Sequence, residues 1–353
     1  MKRMENEQYR DLLLRTISAF PLWNALEGKT LLLSGATGMI GCFLVDLIMQ
    51  RNESVAKGSR CRIIAVGRNI TTARERLSHW FDSSEFYFVV HDIAKPLHEL
   101  SHPPDYLIHG ASTSHPIEYS TDPINTVLSN VFGTHTMLEL AVQKTGSRLL
   151  LISSVEVYGE NRGDTERFKE NYCGYVDCNT LRAGYPEAKR VSEALCQAYI
   201  AQEKVDAAVI RLPRCYGPTM KMEDSKAVAQ FIKNGVNGEN IVLKSEGKQL
   251  YSFAHVSDAA LGILWVLLRG ESGQAYNLSD ERSDVMQKDL AALIANYMGT
   301  KVIFDLPGEI ERRGYSTVQK ALMDGAKLRE LGWDARYDIS SGICETIDIL
   351  RHL

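Results

Sequence analysis

Short apolar runs and longer periodic segments alternate along the chain between residues 30 and 203. The periodic segments carry apolar residues three and four positions apart, which predicts helices, including two long ones over 121–144 and 185–203. The short runs predict buried strands over 31–33, 61–66, 86–90, 106–109 and 148–153. This alternation predicts an α/β fold in which helices cover both faces of a doubly wound parallel sheet.

Three glycines follow the first predicted strand with the spacing G-x-x-G-x-x-G, and a helical pattern then runs to residue 50. Gly35 allows a sharp turn, Gly38 allows the backbone to approach a pyrophosphate, and Gly41 allows the helix to pack closely on the strand. The N–H groups and the positive end of such a helix bind phosphate. We therefore predict a dinucleotide site at this turn, with further contacts from Thr37, Met39 and Ile40.

Residues at the carboxyl ends of the later strands are expected to complete this cofactor site, because ligands of parallel sheets bind at that edge. The second strand is followed by Arg68, where an acidic residue would accept hydrogen bonds from the adenosine ribose. An arginine there can pair with a 2′-phosphate or stack on adenine, which slightly favours NADP over NAD. Further cofactor contacts are predicted at Asp92, Ile93, Gly110, Ala111 and Ser112.

A tyrosine and a lysine four positions apart, Tyr185 and Lys189, open the helix after the fifth strand. At that spacing both side chains lie on one face of the helix. A neighbouring ammonium favours phenolate, so Lys189 should lower the pKa of Tyr185 toward the range of a useful base. Ser154, at the end of the fifth strand, can hydrogen-bond the same substrate hydroxyl. The three residues predict an acid/base site beside a nicotinamide.

Composition restricts the class of protein. The chain has 353 residues, 44% hydrophobic and 24% charged, as in globular proteins of one large or two closely packed domains. Its net charge of −4 provides no basic footprint for nucleic acid, and no apolar run has the length of a membrane span. The seven cysteines show no paired metal-ligand spacing, so we expect reduced thiols, no metal site and a cytoplasmic protein.

From about residue 28 to its C-terminus the chain resembles the extended short-chain dehydrogenase/reductases, which include nucleotide-sugar epimerases, dehydratases and decarboxylases. The resemblance lies in the glycine turn, in the Tyr185/Lys189 pair and in several further motifs: Asn130-Val131-Phe132-Gly133-Thr134, Ser154…Glu156-Val157-Tyr158-Gly159, Arg211…Tyr216-Gly217-Pro218, Val256-Ser257-Asp258 and Leu331-Gly332-Trp333.

The resemblance implies a Rossmann-type sheet with a smaller, interleaved C-terminal α/β lid. Residues 1–27 would form a helical extension, 28–212 the dinucleotide-binding domain, to which segments near 240–270 return, and 213–353 mainly the substrate-binding domain. It also implies a homodimer that pairs through the two long helices. Cofactor contacts would come from Asn130, Tyr185, Lys189 and Pro213. The substrate would be a nucleoside-diphosphate sugar, held by Thr113, Ser114, Glu156, Arg214, Lys244 and Tyr251.

Three positions depart from the family pattern. Val155 occupies the place of an aspartate that helps 4,6-dehydratases expel water, and valine cannot carry a proton. Tyr251 occupies the place of an arginine that holds a diphosphate or a sugar carboxylate, and tyrosine brings no charge. Arg214 stands where the family usually has asparagine, and it can supply the missing cation. Glu156 is retained, as in UDP-glucuronate decarboxylases and dehydratases, and is expected to be catalytic.

These observations favour an epimerase-type enzyme that oxidises a nucleotide sugar to a transient 4-keto sugar and returns the hydride from a recycled cofactor. A UDP-glucuronate-type decarboxylase or a dehydratase would use the same ketone and is the first alternative. An NADPH-dependent reductase of ketones or aldehydes is the second, and Arg68 suits it. A dinucleotide sensor without turnover is the third, and the complete set of Ser154, Tyr185 and Lys189 argues against it.

Overall fold

The structure is a computed structural model that describes residues 2–97, 100, 102–112, 121–305 and 318–353. These residues form thirteen strands: β1 Thr30–Ser34, β2 Arg62–Gly67, β3 Phe86–Val90, β4 Tyr106–His109, β5 Arg148–Ser154, β6 Asp206–Leu212, β7 Arg214–Tyr216, β8 Ile241–Leu243, β9 Leu250–His255, β10 Ala275–Asn277, β11 Asp284–Met286, β12 Val302–Phe304 and β13 Lys320–Ala321.

The same residues form ten α-helices: α1 Glu7–Ser18, α2 Met39–Glu53, α3 Ile70–Leu77, α4 Pro123–Val142, α5 Gly184–Glu203, α6 Ala227–Val236, α7 Val256–Arg269, α8 Gln287–Met298, α9 Ala326–Glu330 and α10 Ile339–Leu350. Local sequence explains several of their ends. Asn69 caps α3 by accepting a hydrogen bond from the Thr72 N–H, and Pro123 opens α4 at a position where a missing N–H costs nothing.

The largest sheet in the described part of the chain has seven parallel strands in the order β10-β6-β5-β4-β1-β2-β3. This confirms the predicted α/β fold with a doubly wound parallel sheet. β1 lies between β2 and β4, so that Ser34 is opposite Val66 on one side and His109 on the other. The strand order reverses between β1 and β4, and ligands of such sheets bind in the crevice at this point.

Both faces of the sheet are buried. Leu31 and Leu33 of β1 belong to a core that also contains residues of α1, α2 and α7, whereas Leu32 belongs to the core under α4 and α5. Successive side chains of a strand point to opposite faces, so a strand covered on both faces must be apolar throughout. That is why β1 is a continuous apolar run in the sequence.

The smaller part of the structure begins one residue after the large sheet, because only Pro213 separates β6 from β7. β9 pairs with β7, β11 and β13, and β8 pairs with β12. Helices α6, α8 and α10 surround these strands with a core of their own, which includes Phe231, Phe253 and Ile294.

After the first strands of the smaller part, the chain returns to the large sheet through α7 and β10. The expectation placed the returning segments near 240–270, but β8 and β9 lie in the small sheets. Instead, α7 packs on α2 and β6, and β10 pairs in parallel with β6. The expected range therefore includes α7, whereas β10 lies just beyond its end. β10 pairs there because β6 would otherwise present unpaired backbone groups at the edge of the sheet.

The N-terminal segment is bound to helix α2, which covers the large sheet, through a buried carboxylate. Asp46 of α2 accepts hydrogen bonds from Tyr9 Oη over 2.6 Å, from Arg3 Nε over 2.7 Å and from Trp80 Nε1 over 2.8 Å. No helix within the described ranges has the length and apolarity needed to cross a membrane. In those ranges no group of three His, Cys, Asp or Glu side chains is arranged as a metal site, and the seven cysteines are free thiols.

Candidate active site

The turn after β1 is closed by backbone atoms that leave no space for a side chain. Gly35 has a φ of +77°, and a Cβ atom on it would lie 2.6 Å from the carbonyl carbon of Gly110. A Cβ atom on Gly41 would lie 2.3 Å from the carbonyl oxygen of Gly35. The turn after β1 therefore requires glycine at position 35, and the close packing of α2 on this turn requires glycine at position 41.

The start of α2 offers donors to a ligand. Gly38 is its N-cap and provides no side-chain hydrogen bond, and the Cys42 N–H is bonded to the Gly38 carbonyl over 2.9 Å. The N–H groups of Met39, Ile40 and Gly41 have no acceptor inside the helix. This uncapped helix end beside a closed glycine turn fits the pyrophosphate of a dinucleotide, as the sequence predicts.

The ends of β1 and β4 are joined beside this turn. Ser34 Oγ and His109 Nδ1 are 2.7 Å apart, and the Ala111 N–H donates to Ser34 Oγ over 3.2 Å. Burial, with a smaller contribution from the charge of Lys189, lowers the pKa of His109 to about 3, so the imidazole is neutral. These contacts hold residues 110–112 at the crevice beside the glycine turn.

The predicted adenosine contacts lie at the ends of β2 and β3. Arg68 follows β2 directly, is exposed, and has no hydrogen-bond or ion-pair partner within the described residues. Asp92 follows β3, accepts a hydrogen bond from the Ala94 N–H over 3.2 Å, and precedes the buried Ile93. The guanidinium of Arg68 is therefore available to a ligand, while Asp92 shapes the turn beside it.

Tyr185 lies at the start of α5 with its phenol in contact with two hydroxyl groups. Its side chain is buried, and its oxygen is hydrogen-bonded with Ser154 from β5 and with Ser112 from the segment after β4. Ser112 Oγ is also 2.9 Å from Asn130 Oδ1 of α4. Ser112 and Asn130 are predicted cofactor contacts, and the structure places Ser112 against the phenol of Tyr185.

The pKa of Tyr185 is shifted in the direction opposite to the one predicted. Burial raises the pKa to about 12, and the nearby carboxylate of Glu156 adds to the increase. The hydrogen bonds from Ser154 and Ser112 oppose it but are weaker. The prediction that Lys189 lowers this pKa is therefore wrong for this state, because desolvation of the phenolate outweighs the stabilisation available to it.

Lys189 lies one helical turn beyond Tyr185 and is almost fully buried. Its Nζ donates to the Ile152 carbonyl over 2.9 Å and lies 5.9 Å from the centre of the Tyr185 ring. Burial lowers the pKa of Lys189 to about 8, and the carboxylate of Glu193 opposes this decrease. Lys189 therefore stays largely protonated at neutral pH but titrates just above it.

Glu156 lies between two guanidinium groups that come from distant segments. Its carboxylate oxygens are 4.0 Å from Arg182 Nη2 and 3.9 Å from Arg214 Nη2. The Arg214 guanidinium also lies over the ring of Tyr251, 3.4 Å from its centre, and Arg214 Nη1 is buried without a hydrogen-bond partner within the described residues. Tyr251 stands where the family has an arginine, and the guanidinium of Arg214 brings a positive charge to the same place.

Comparison with known proteins agrees with this geometry. The family model described as the NAD dependent epimerase/dehydratase family matches residues 31–279. The chain belongs to this family. The match confirms the resemblance to nucleotide-sugar epimerases, dehydratases and decarboxylases that the motifs indicate.

The relatives that the chain resembles include enzymes that act on nucleotide sugars, and solved structures of such enzymes share its fold. UDP-glucuronic acid decarboxylase 1 of Xenopus tropicalis is 32% identical over 92% of this chain and 73% of its own length. A dTDP-glucose 4,6-dehydratase from Bacillus anthracis, solved with NAD, has a TM-score of 0.75 at 21% identity, covering 92% of this chain and 97% of the other. UDP-glucuronic acid 4-epimerase from Bacillus cereus, solved with UDP-glucuronic acid and NAD, has a TM-score of 0.74 at 19% identity and covers 92% and 99%.

One predicted substrate contact, Lys244, forms an ion pair within the protein. The ammonium of Lys244, just after β8, forms an ion pair with Asp305, just after β12. The prediction that Lys244 faces a phosphate is therefore not supported, because its charge is already paired at the end of the small two-stranded sheet. Thr113 and Ser114 lie outside the described residues, and Pro213 is buried between β6 and β7.

Two charged residues near the site were not predicted from the sequence. Arg182 lies in the short turn Leu181–Ala183, three residues before Tyr185, and Glu193 lies on α5 four residues after Lys189. Spacing alone indicates Glu193, because residues 185, 189 and 193 share one helix face. Nothing local indicates Arg182, whose partner Glu156 is separated from it by the long connection between β5 and α5.

A groove of about 790 Å³ lies apart from the catalytic residues, between the N-terminal segment, the end of α3 and residues 218–222. Asp46 and Arg3 contribute to its wall, but these two charges are paired with each other. Arg76, also in its wall, donates to the Thr219 carbonyl over 2.6 Å. The side chains of Arg3, Asp46 and Arg76 in this wall are thus already bonded within the protein.

Proposed function

We propose that the chain decarboxylates a nucleoside-diphosphate uronic acid of the UDP-glucuronate type by way of a 4-keto sugar. The observation that carries the proposal is Glu156, whose carboxylate is held between Arg182 and Arg214 beside the buried phenol of Tyr185. The relative at 32% identity is a UDP-glucuronic acid decarboxylase, which supports this reaction over the epimerisation that the sequence favours.

The N–H groups at the start of α2 would hold a dinucleotide, which would supply the acceptor, and later the donor, of the C4 hydride. Tyr185 handles the proton of the C4 hydroxyl, and the hydroxyls of Ser154 and Ser112 hold the phenol oxygen in place. Because the raised pKa keeps Tyr185 protonated at neutral pH, the phenol must first release its proton to solvent, and the phenolate then accepts the proton of the C4 hydroxyl. Lys189, the buried cation one turn away, stabilises the phenolate that forms.

The carbon chemistry follows from the 4-keto group. A ketone at C4 makes the C5 carboxylate a β-keto acid, whose C5–carboxylate bond breaks with release of CO2 while the electron pair passes to the C4 oxygen. C5 then takes up one proton, and we assign the handling of that proton to Glu156. Val155, next to Glu156, cannot carry the proton that expulsion of a C6 hydroxyl needs, so dehydration is disfavoured.

Arg214 is proposed to hold the anionic part of the substrate. Its Nη1 is buried and without a protein partner within the described residues, and a buried donor of this kind is costly unless a ligand satisfies it. Stacking on Tyr251 fixes the plane of the guanidinium without using its N–H groups. A carboxylate or a diphosphate can therefore accept the free donors in a two-point contact.

NAD is the proposed resident dinucleotide. The family is described as NAD dependent, and the dehydratase and the epimerase named above were solved with NAD. Arg68, exposed after β2, would then stack on adenine instead of pairing with a 2′-phosphate. Mass spectrometry of the dinucleotide that is retained by the purified protein distinguishes NAD from NADP.

A dimer through α4 and α5 is also proposed. These helices pack side by side and leave apolar side chains exposed on one surface, among them Ile124, Leu128 and Phe132 of α4 and Val191 of α5. Ile124, Leu128 and Phe132 are four residues apart and form one stripe, which a second copy of the chain would cover. Light scattering of the purified protein measures the oligomeric state.

The test of the reaction uses the purified protein with UDP-glucuronate and with UDP-glucose, without added cofactor. Decarboxylation predicts a UDP-sugar product lighter by one CO2 from UDP-glucuronate, and no net change in the absorbance of reduced nicotinamide. A product of unchanged mass but altered retention would indicate epimerisation and overturn the proposal. A stoichiometric absorbance change would indicate a reductase.

A further inference from the structure

Three consecutive residues of β5 are held by three side chains of α5. The Ile152 carbonyl accepts from Lys189 Nζ over 2.9 Å, Ser153 Oγ donates to Glu193 Oε1 over 2.6 Å, and Ser154 is hydrogen-bonded with Tyr185. Because Tyr185, Lys189 and Glu193 are spaced by four, they lie on one face of the helix. The proposed mechanism assigns roles to Tyr185 and Lys189, but it gives none to Glu193 and its contact with Ser153.

Glu193 is also fastened to the next strand of the sheet. Arg211 of β6 donates to Glu193 Oε1 from Nε over 3.0 Å and to Oε2 from Nη2 over 2.7 Å, a two-point ion pair. The side chains are only 15% and 13% exposed. The remaining nitrogen of Arg211, Nη1, donates to Tyr158 Oη and to the Glu170 carbonyl, each over 2.8 Å. A buried pair with all of these bonds made is geometrically specific.

We propose that Glu193 and Arg211 form a positioning pair for catalysis, which fixes α5 in register on β5 and β6 and holds a carboxylate one helical turn from Lys189. This inference rests on the proposed function only for its kinetic consequence. Neither residue needs to touch the substrate. Glu193 acts through Lys189, and Arg211 keeps the Glu193 carboxylate in a single orientation.

The charges around Lys189 decide the sign of the effect. From β4, His109 faces it as a neutral group, and from β5 it meets the Ile152 carbonyl dipole. Tyr185 on its own helix is protonated at neutral pH, and from β6 the cation of Arg211 lies beyond Glu193. Glu193 is the anion that favours the charged form of Lys189. Removing this anion should therefore make Lys189 lose its proton at lower pH.

The experiment compares Glu193→Gln with wild type by two measurements on the full-length protein. The first is the titration of Lys189 by NMR of isotope-labelled lysine side chains, assigned with Lys189→Met. The second is the pH dependence of kcat and KM. We expect the midpoint for Lys189, and the alkaline limb of kcat, to move to lower pH by about one unit, because a neighbouring charge changes a pKa by that order.

Two further variants separate charge from packing. Ser153→Ala removes a neutral hydrogen bond to the same carboxylate and should leave the Lys189 midpoint unchanged. Glu193→Asp keeps the charge on a shorter side chain. It should therefore keep the wild-type midpoint of Lys189 but lower kcat, because the carboxylate no longer holds α5 on β5 and β6 in the same way. This variant serves as the test if Glu193→Gln does not fold. An unchanged Lys189 midpoint in Glu193→Gln, or in Glu193→Asp an unaltered kcat, would overturn the inference.

The two proposals can fail separately. If UDP-glucuronate is not turned over, the decarboxylase proposal is overturned, but the NMR midpoint of Lys189 still tests the effect of Glu193. If UDP-glucuronate is decarboxylated and Glu193→Gln leaves both the midpoint and the alkaline limb at their wild-type pH, the positioning pair alone is overturned.

Discussion

Replacing Gly41 by alanine tests the close packing of the glycine turn. In an ordinary helix this change would stabilise the protein by about 1 kcal/mol, because alanine is the better helix former. Here the new Cβ would lie 2.3 Å from the Gly35 carbonyl oxygen and 2.7 Å from the Ala36 Cα. Both are backbone atoms that cannot rotate away. Overpacking of this kind costs about 1–3 kcal/mol, so we expect Gly41→Ala to be destabilising.

The cost should appear in two measurements. The free energy of unfolding in urea should fall by about 1–3 kcal/mol, and dinucleotide affinity should fall because the clash displaces the donors at the start of α2. Gly58→Ala is the matched control, since a Cβ atom there meets nothing within 4 Å. If Gly41→Ala is as stable as wild type and binds the dinucleotide equally well, the turn is not closed as described.

Three other perturbations follow from the site. Tyr185→Phe removes the proton-transfer group and should lower kcat by about 10²–10⁴-fold, with dinucleotide retention unchanged. Arg214→Gln removes a charged hydrogen bond worth about 1.5–3 kcal/mol, so KM for UDP-glucuronate should rise about 10–150-fold. His109 and His255 are buried and neutral, with pKa values lowered by burial to about 3 from an ordinary value of 6.5. Below pH 6.5 the unfolded chain therefore binds more protons at these imidazoles, which lowers the free energy of unfolding by about 1.4 kcal/mol per pH unit for each. Burial raises the pKa of Asp258 to about 7, so this carboxyl holds a proton in the folded chain over the same range and offsets one imidazole. The net decrease should be about 1.4 kcal/mol per pH unit.

Each of these expectations has a result that contradicts it. If Tyr185→Phe retains substantial turnover, the phenol does not take part in the reaction. Such a result would also exclude a sensor, because a sensor does not turn over substrate. An unchanged KM in Arg214→Gln would mean that the anionic group of the substrate binds elsewhere. Equal stability in urea at pH 7 and pH 5.5 would show that the two imidazoles are not buried as neutral groups.

The doubly wound parallel sheet could be predicted because its signals are local. Continuous apolar runs mark strands that are covered on both faces, and the glycine spacing marks the one turn that backbone geometry restricts to glycine. The Tyr185/Lys189 pair needs only the periodicity of a helix. The expected range 240–270 includes α7 but stops short of β10, because a three-residue strand becomes stable only by pairing with β6.

The misjudged groups are those whose behaviour depends on distant residues. Lys244 has the sequence context of a phosphate ligand, but Asp305, about sixty residues away, pairs with its charge. Tyr185 has a lysine one turn away, yet the phenol is surrounded by Ser112, Ser154 and Glu156 from other elements, and burial raises its pKa. Desolvation is a property of the folded surroundings, so no spacing rule predicts it.

The sequence by itself determined the features that depend on neighbouring residues. These are the succession of strands and helices along the chain, the closed glycine turn, and a phenol and an amine on one helix face. Only the tertiary structure decided which charges surround that phenol. It brings Arg182 and Arg214 to opposite sides of Glu156, lays Arg214 on Tyr251, and ties Glu193 to Arg211. Backbone conformation is restricted within a few residues, whereas the energy of a buried charge depends on every group within several ångströms, whatever its place in the chain.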